Sequence, residues 1–306
     1  MLQRTGDVEL PAHAGAGAFD HAAVHRRTGL VYVAHTANDA VDVIDGAAGR
    51  FVESIGGLAA VAGALVSDER DLVFTSNRGE DTVGMFAAAA PAKVVKVGVG
   101  VKPNGLAYDP VRRRLLAANV GDPARPGSFT VSLIDVDARR RLAEIPVPGR
   151  TRWTIWDPAA EVFHVNVMDP PVIVVVNAGR EAVTRTVDVP SAGPHGLDLD
   201  VTARRLFCAC DAARLVELDA DTGAVVRTAE LAGVPDVIFF NTALARLYVA
   251  IGDPGVIEVF DTQALRRVET VVTEKGAHTL AFDAMRNLVY ALLPQTHRAA
   301  VYLDRG

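Results

Sequence analysis

A seven-bladed β-propeller is the fold this sequence predicts, and three observations carry the prediction: a phrase that recurs seven times, four strand-like runs inside each repeat, and chain ends that complement each other. The phrase is clearest as Pro-Asn104-Gly-Leu-Ala-Tyr-Asp109, Pro-His195-Gly-Leu-Asp-Leu-Asp200, Pro-Asp236-Val-Ile-Phe-Phe-Asn241 and Ala-His278-Thr-Leu-Ala-Phe-Asp283. Weaker copies run Phe-Asp20-His-Ala-Ala-Val-His25, Val-Ala62-Gly-Ala-Leu-Val-Ser67 and Thr-Arg152-Trp-Thr-Ile-Trp-Asp157. Equivalent positions fall at 20, 62, 104, 152, 195, 236 and 278, a spacing of 41 to 48 residues that matches one propeller blade.

Each phrase supplies an inner strand, and the runs after it supply three more. Second strands read Leu30–Ala34, Leu72–Ser76, Leu115–Ala118, Val162–Val165, Leu206–Ala209, Leu247–Ala250 and Val289–Leu292. Third strands such as Ala40–Asp45, Thr130–Asp135 and Val256–Asp261 follow, then fourth strands such as Val52–Ile55, Ala143–Val147 and Val268–Val272. Period-two alternation and β-branched residues mark all of them as strands, and no useful stretch has the 3.6 period of a helical solenoid. The seventh repeat stops after its third strand, Ala300–Asp304, while Arg4–Leu10 has the character of a fourth strand with no repeat before it. The N-terminal strand is therefore expected to complete the last blade and close the ring, making residues 1–306 a single domain.

Composition excludes several function classes. Half of the 306 residues are hydrophobic and 22% are charged, enough apolar surface for a large core and too much for a disordered chain. A net charge of −6 argues against nucleic acid, which needs clustered Lys and Arg; the one basic run, Arg112-Arg113-Arg114, falls in a turn. No apolar run reaches the length of a membrane span or a signal core, so a cytoplasmic protein without membrane contact is expected; a secreted chain relieved of its signal would read the same. Cys208 and Cys210 stand two apart on one strand, where they bridge poorly, and a reducing compartment follows.

The second strands end in Tyr32-Val-Ala-His35, Phe74-Thr-Ser-Asn77, Leu116-Ala-Ala-Asn119, Phe163-His-Val-Asn166, Phe207-Cys-Ala-Cys210, Tyr248-Val-Ala-Ile251 and Tyr290-Ala-Leu-Leu293. Together with the inner-strand phrase and the Ile-Asp or Phe-Asp end of the third strand, these resemble the YVTN family of β-propeller repeats over essentially the whole chain. The resemblance implies a propeller and leaves function open, because such propellers include binding scaffolds, surface-layer proteins and enzymes. His35, Cys210, Ile251 and Leu293 depart from the family's terminal Asn, so one uniform role for that position is not implied here.

In a propeller the connection entering each inner strand opens on the same face as the connection between second and third strands. Asp20, Asn104, Arg152, His195, Asp236 and His278 should therefore gather at the mouth of the channel. Loops on this face include Arg78–Asp81, Asn119–Ser128 and Pro294–His297. His195, Asp236, His278 and Asp20 form a mixed nitrogen and oxygen set suited to a divalent metal ion, with Arg152 to hold an anionic substrate group and Asn104 to orient it. The function expected is a metal-dependent small-molecule lyase, hydrolase or isomerase. Two alternatives stand beside it: a hydrated ring of polar turn residues, and a scaffold that binds a protein or peptide across the upper face through Trp153, Trp156 and the long third-blade loop. Cys210 is a soft ligand or nucleophile on one reading and a small buried hydrophobe on the other. His21 and His25 read as surface or inter-blade residues, His164 as packed, His13 and His297 as loop residues, and Asp198 as meeting a neighbouring blade.

Overall fold

The spelling of the repeat explains why each unit folds as it does. The Asp or Asn that ends the inner-strand phrase folds its side chain back onto the next turn: Asp109 Oδ1 accepts from the backbone N–H of Val111 and Arg112, and Asp157, Asp200, Asn241 and Asp283 do the same in their blades. The acidic ends of the third strands repeat the device, with Asp45, Asp219 and Asp261 capping their own turns. Inner and third strands run the same way, so these turns share the lower face, and the opposite connections are left to build an upper one.

The computed structural model describes residues 1–14 and 17–306, and these form seven four-stranded antiparallel sheets. Inner strands are β2 (Phe19–His25), β6 (Val61–Ser67), β10 (Pro103–Asp109), β14 (Thr151–Asp157), β18 (Pro194–Asp200), β22 (Pro235–Asn241) and β26 (Leu280–Asp283). Six blades are consecutive in sequence. The seventh has the order β1 (Leu2–Glu9), β28 (Arg298–Asp304), β27 (Leu288–Leu293), β26. β1 pairs antiparallel with β28 from Leu2 opposite Asp304 to Glu9 opposite Arg298, with a bulge between Arg4 and Gly6. The N-terminal strand thus completes the last blade, as expected, and the Met1 ammonium lies 2.9 Å from Asp304 Oδ1.

Buried apolar side chains fall into seven clusters, and each joins two successive blades. The core therefore lies between the sheets and leaves the axis open. Close approach near the axis explains the phrase's glycine: a Cβ on Gly63, Gly105 or Gly196 would lie 2.5, 2.7 or 2.4 Å from the carbonyl oxygen of Asn104, Arg152 or Asp236, the ring residue of the next blade. Among the described residues no helix is long and apolar enough to cross a membrane.

A charged candidate site at the channel mouth

The ring residues occupy the upper ends of the inner strands, where a cavity of about 510 Å³ opens. Asp20, Arg78, Lys102, Asn104, Arg150, Arg152, His195 and Asp236 line it. Two hydrogen-bonded groups divide the mouth. On one side Arg78 Nη2 donates to Asn104 Oδ1 (2.8 Å) and to Asp20 Oδ2 (3.2 Å), linking the first three blades. On the other, His195 Nδ1 bonds Asp211 Oδ1 at 2.7 Å and its Nε2 lies 3.1 Å from Asp236 Oδ1, while Asp236 Oδ2 bonds His278 Nδ1 at 2.8 Å. Arg152 Nη2 stands 3.6 Å from Asp211 Oδ2 and 3.5 Å from Met168 Sδ. Asn166, at the end of the fourth blade's second strand, donates to the carbonyl oxygens of His195 and Gly196 and fixes the backbone that carries the imidazole.

Charge follows from this geometry. Burial works against protonating His195, whose side chain is 13% exposed, but the Asp236 charge and hydrogen bonds to Asp211 and Asp236 outweigh it and push its pKa up to about 9. His278 is likewise raised, its burial outweighed by the hydrogen bond and charge of Asp236. Burial alone would raise the Asp236 carboxyl; the charges and hydrogen bonds of the two histidines hold it well below the usual carboxylate range. Near neutral pH, His195 is an imidazolium clamped between two carboxylates. Arg150 is pulled below its ordinary value by burial and by the neighbouring charges of Arg152 and Arg78, and no acidic side chain among the described residues pairs with it. Five cationic groups, Arg78, Lys102, Arg150, Arg152 and His195, thus face the cavity; Asp20, Asp122, Asp211 and Asp236 pair with the others, and among the described residues Arg150 alone of the five has no carboxylate within 4.0 Å.

The six ring positions do gather at the mouth. His195, Asp236 and His278 come together as a hydrogen-bonded series, whereas Asp20 sits with Arg78 and with His21, whose Nε2 is 3.3 Å away. Among the described residues no group of three His, Cys, Asp or Glu side chains is placed to hold a metal ion. Both nitrogens of His195 point at carboxylates, so neither offers a free lone pair in this arrangement. Arg152 and Asn104 line the cavity and are already engaged by Asp211 and Arg78.

Other expectations meet a mixed outcome. Trp153 and Trp156 are half-buried and line the lower part of the channel: a bulge between Thr151 and Thr154 turns Trp153 onto His21, and Trp156 packs on Phe163 in the core between the third and fourth blades. Cys208 and Cys210 are fully buried, their sulfurs 3.9 Å apart and unbridged. His35, Asn77 and Asn119 are buried and bonded to their own third strands through Asp42, Thr82 and Thr130. His25 meets Asp71 of the next blade, His164 is packed against Asp157, and Asp198 accepts from Phe240 N–H of the neighbouring blade at 2.6 Å.

Four contributors went unassigned on sequence grounds: Arg78, named only as part of a loop, and Asp211, Lys102 and Arg150. A signal was there in the repeat alignment. Arg78 and Asp211 both directly follow the repeat position held by Asn77 and Cys210, and elsewhere that place is Thr36, Val120, Val167, Gly252 or Pro294. Lys102 and Arg150 both stand two residues before a ring position.

No family model and no curated protein matches the chain. Solved structures do. A chain of Kuenenia stuttgartiensis hydrazine synthase superimposes with a TM-score of 0.83 at 12% identity, covering 96% of this chain and 97% of its own. A chain from the crystal structure of a mitotic checkpoint complex gives 0.83 at 12% identity, covering 99% and 92%. At this identity the likeness is one of fold: the protein is a seven-bladed β-propeller.

Proposed function

We propose that the channel mouth binds a small anionic molecule, a carboxylate or phosphate, and that His195 serves as the acid in a reaction on it. The observation that carries this reading is Arg150, which lines the cavity without an acidic partner beside Arg78, Lys102, Arg152 and a His195 whose pKa is pushed up to about 9. Guanidinium groups match the oxygens of both anion classes, and low-dielectric walls strengthen the attraction. Proton delivery to a leaving or enolising oxygen, as a lyase, hydrolase or isomerase would use it, requires the His195 Nε2–H to turn from Asp236 to the bound substrate, while Asp211 holds Nδ1. Kinship with the YVTN repeats belongs to the same reading, supported by the recurring phrase and strand endings, and two unlinked thiols fit a reducing compartment.

Isothermal titration with inorganic phosphate and with succinate tests it. One anion should bind per chain, and Arg150→Ala or Arg152→Ala should weaken it at least tenfold. A second reading places a divalent metal ion on Asp236 between His195 and His278, favoured by the approach of both imidazoles to one carboxylate. It requires His195 to lose its Nε2 proton. Stoichiometric zinc or manganese uptake, abolished by His278→Ala and accompanied by no anion binding, would favour the metal over the anion. A third, capture of a peptide across the upper face, would show neither.

A further inference from the structure

Below the mouth the channel holds a second chamber of different chemistry. Where the second, third and fifth blades carry glycine just past the ring position, the first and fourth carry His21 and Trp153. These two rings meet with centroids 4.2 Å apart and planes tilted by 53°, and His21 borders both cavities. Beneath them lies a cavity of about 470 Å³ to which all seven blades contribute, within the size range of small-molecule pockets.

Its walls are aromatic and aliphatic: Tyr108, Trp153, Trp156, Ile238, Phe239 and Phe282. Phe239 lies 6.3 Å from Trp153 and 6.4 Å from Phe282, centroid to centroid, so the rings form a partial belt. The Tyr108 hydroxyl, the Trp156 Nε1 and the Ser67 hydroxyl have no accessible surface and are turned away from the open space, so the chamber presents rings and aliphatic groups there and not polar atoms.

The charged groups argue against an ionic guest. Asp198 is the one charged side chain deep in the wall, and both its oxygens already accept backbone N–H bonds, from Leu199 at 2.8 Å and Phe240 at 2.6 Å. Burial pushes its carboxyl up to about 6 despite those bonds. At the lower rim Arg26 is paired with Asp68 at 2.7 Å. Unpaired cations of the kind found at the mouth are absent from the described lining.

We propose that the lower channel is a second site, separate from the mouth, that takes one neutral aromatic molecule. The rings of the wall pack against its faces and edge. Trp153 and Trp156 are the two tryptophans of the chain and both line this chamber, so intrinsic fluorescence reports its occupancy.

The probe is 3-hydroxyflavone, a neutral aromatic ketone. Titration of the full chain should quench tryptophan emission saturably at one molecule per chain, and saturating phosphate should leave the curve unchanged. Ala23→Phe, which fills the chamber, should weaken binding at least tenfold. Phe239→Ala, which removes one ring of the wall, should weaken it about fivefold. Absence of saturable quenching overturns the proposal, as does quenching that survives both substitutions or that phosphate competes away. The last result would place the probe at the mouth and leave the anion reading standing.

Discussion

Raising the pH through the titration of His195 should remove a defined part of the protein's stability. The folded pKa of about 9 exceeds the ordinary value of 6.5, so the folded state holds the proton more tightly than the unfolded chain. Each unit is worth about 1.4 kcal/mol, which makes the preference about 3 kcal/mol. The depressed carboxyl of Asp236 is the same attraction seen from the partner and is counted once. Because the pKa is raised on folding, the contribution is complete below pH 6.5, falls between 6.5 and about 9, and is gone above. Urea unfolding at pH 6 and pH 10 should show the parent losing about 3 kcal/mol more than His195→Gln, which keeps polar contacts but cannot take a charge. Comparing the two cancels the groups remote from this series, and His278, which shares Asp236, keeps its own partner in both proteins. Parallel profiles, or a parent whose extra loss centres at or below pH 6.5, would refute a clamped imidazolium.

Anion affinity at the mouth should fall as pH rises through about 9, since His195 surrenders one of the five cationic groups; calorimetry at pH 7 and pH 10 reads this, and equal affinities would remove His195 from the binding charge. Deleting residues 1–11 removes the strand opposite β28 together with the buried Leu2, Val8 and Leu10. At about 1.5–3 kcal/mol for each buried side chain, and about 2–4 °C per kcal/mol, the melting temperature should drop on the order of 10 °C or more by calorimetry. An unchanged melting curve would defeat ring closure through β1. Gly196→Ala would place a Cβ 2.4 Å from the Asp236 carbonyl oxygen, so the backbones of His195 and Asp236 must separate. The expected cost is about 1–3 kcal/mol in denaturant, together with a fall in the His195 pKa read by NMR titration.

How much of this was legible in the sequence depends on whether a feature repeats. Blade number, strand order and closure are written seven times over, and small deviations such as the 48-residue step to Arg152 cannot hide them. The convergence of His195, Asp236 and His278 follows from the same register. Their relation does not. Whether two imidazoles and a carboxylate enclose an ion or bond to each other turns on a few tenths of an ångström and on Asp211, a residue outside the phrase. Trp153 shows a further limit, because its neighbouring ring position is polar and upward-facing while the bulge between Thr151 and Thr154 sends the indole inward onto His21.

The separation of cores from axis explains how so charged a mouth is tolerated. A cation cluster inside an ordinary single core would remove apolar burial from the centre of the fold and leave its charges poorly solvated. Here each apolar cluster is completed between two blades, and the ring side chains project from strand ends that those clusters already hold. The requirement that remains is imposed on the backbone: Gly105 must admit the carbonyl of Arg152, Gly196 must admit that of Asp236, and Asn166 must hold that of His195. Those backbone contacts fix where each ring side chain begins, while the side chain itself is free to differ from blade to blade. It is this division that lets one regular phrase present Asp20, Asn104, Arg152, His195 and Asp236 around a single cavity, with His278 behind Asp236, without disturbing the blades that carry them.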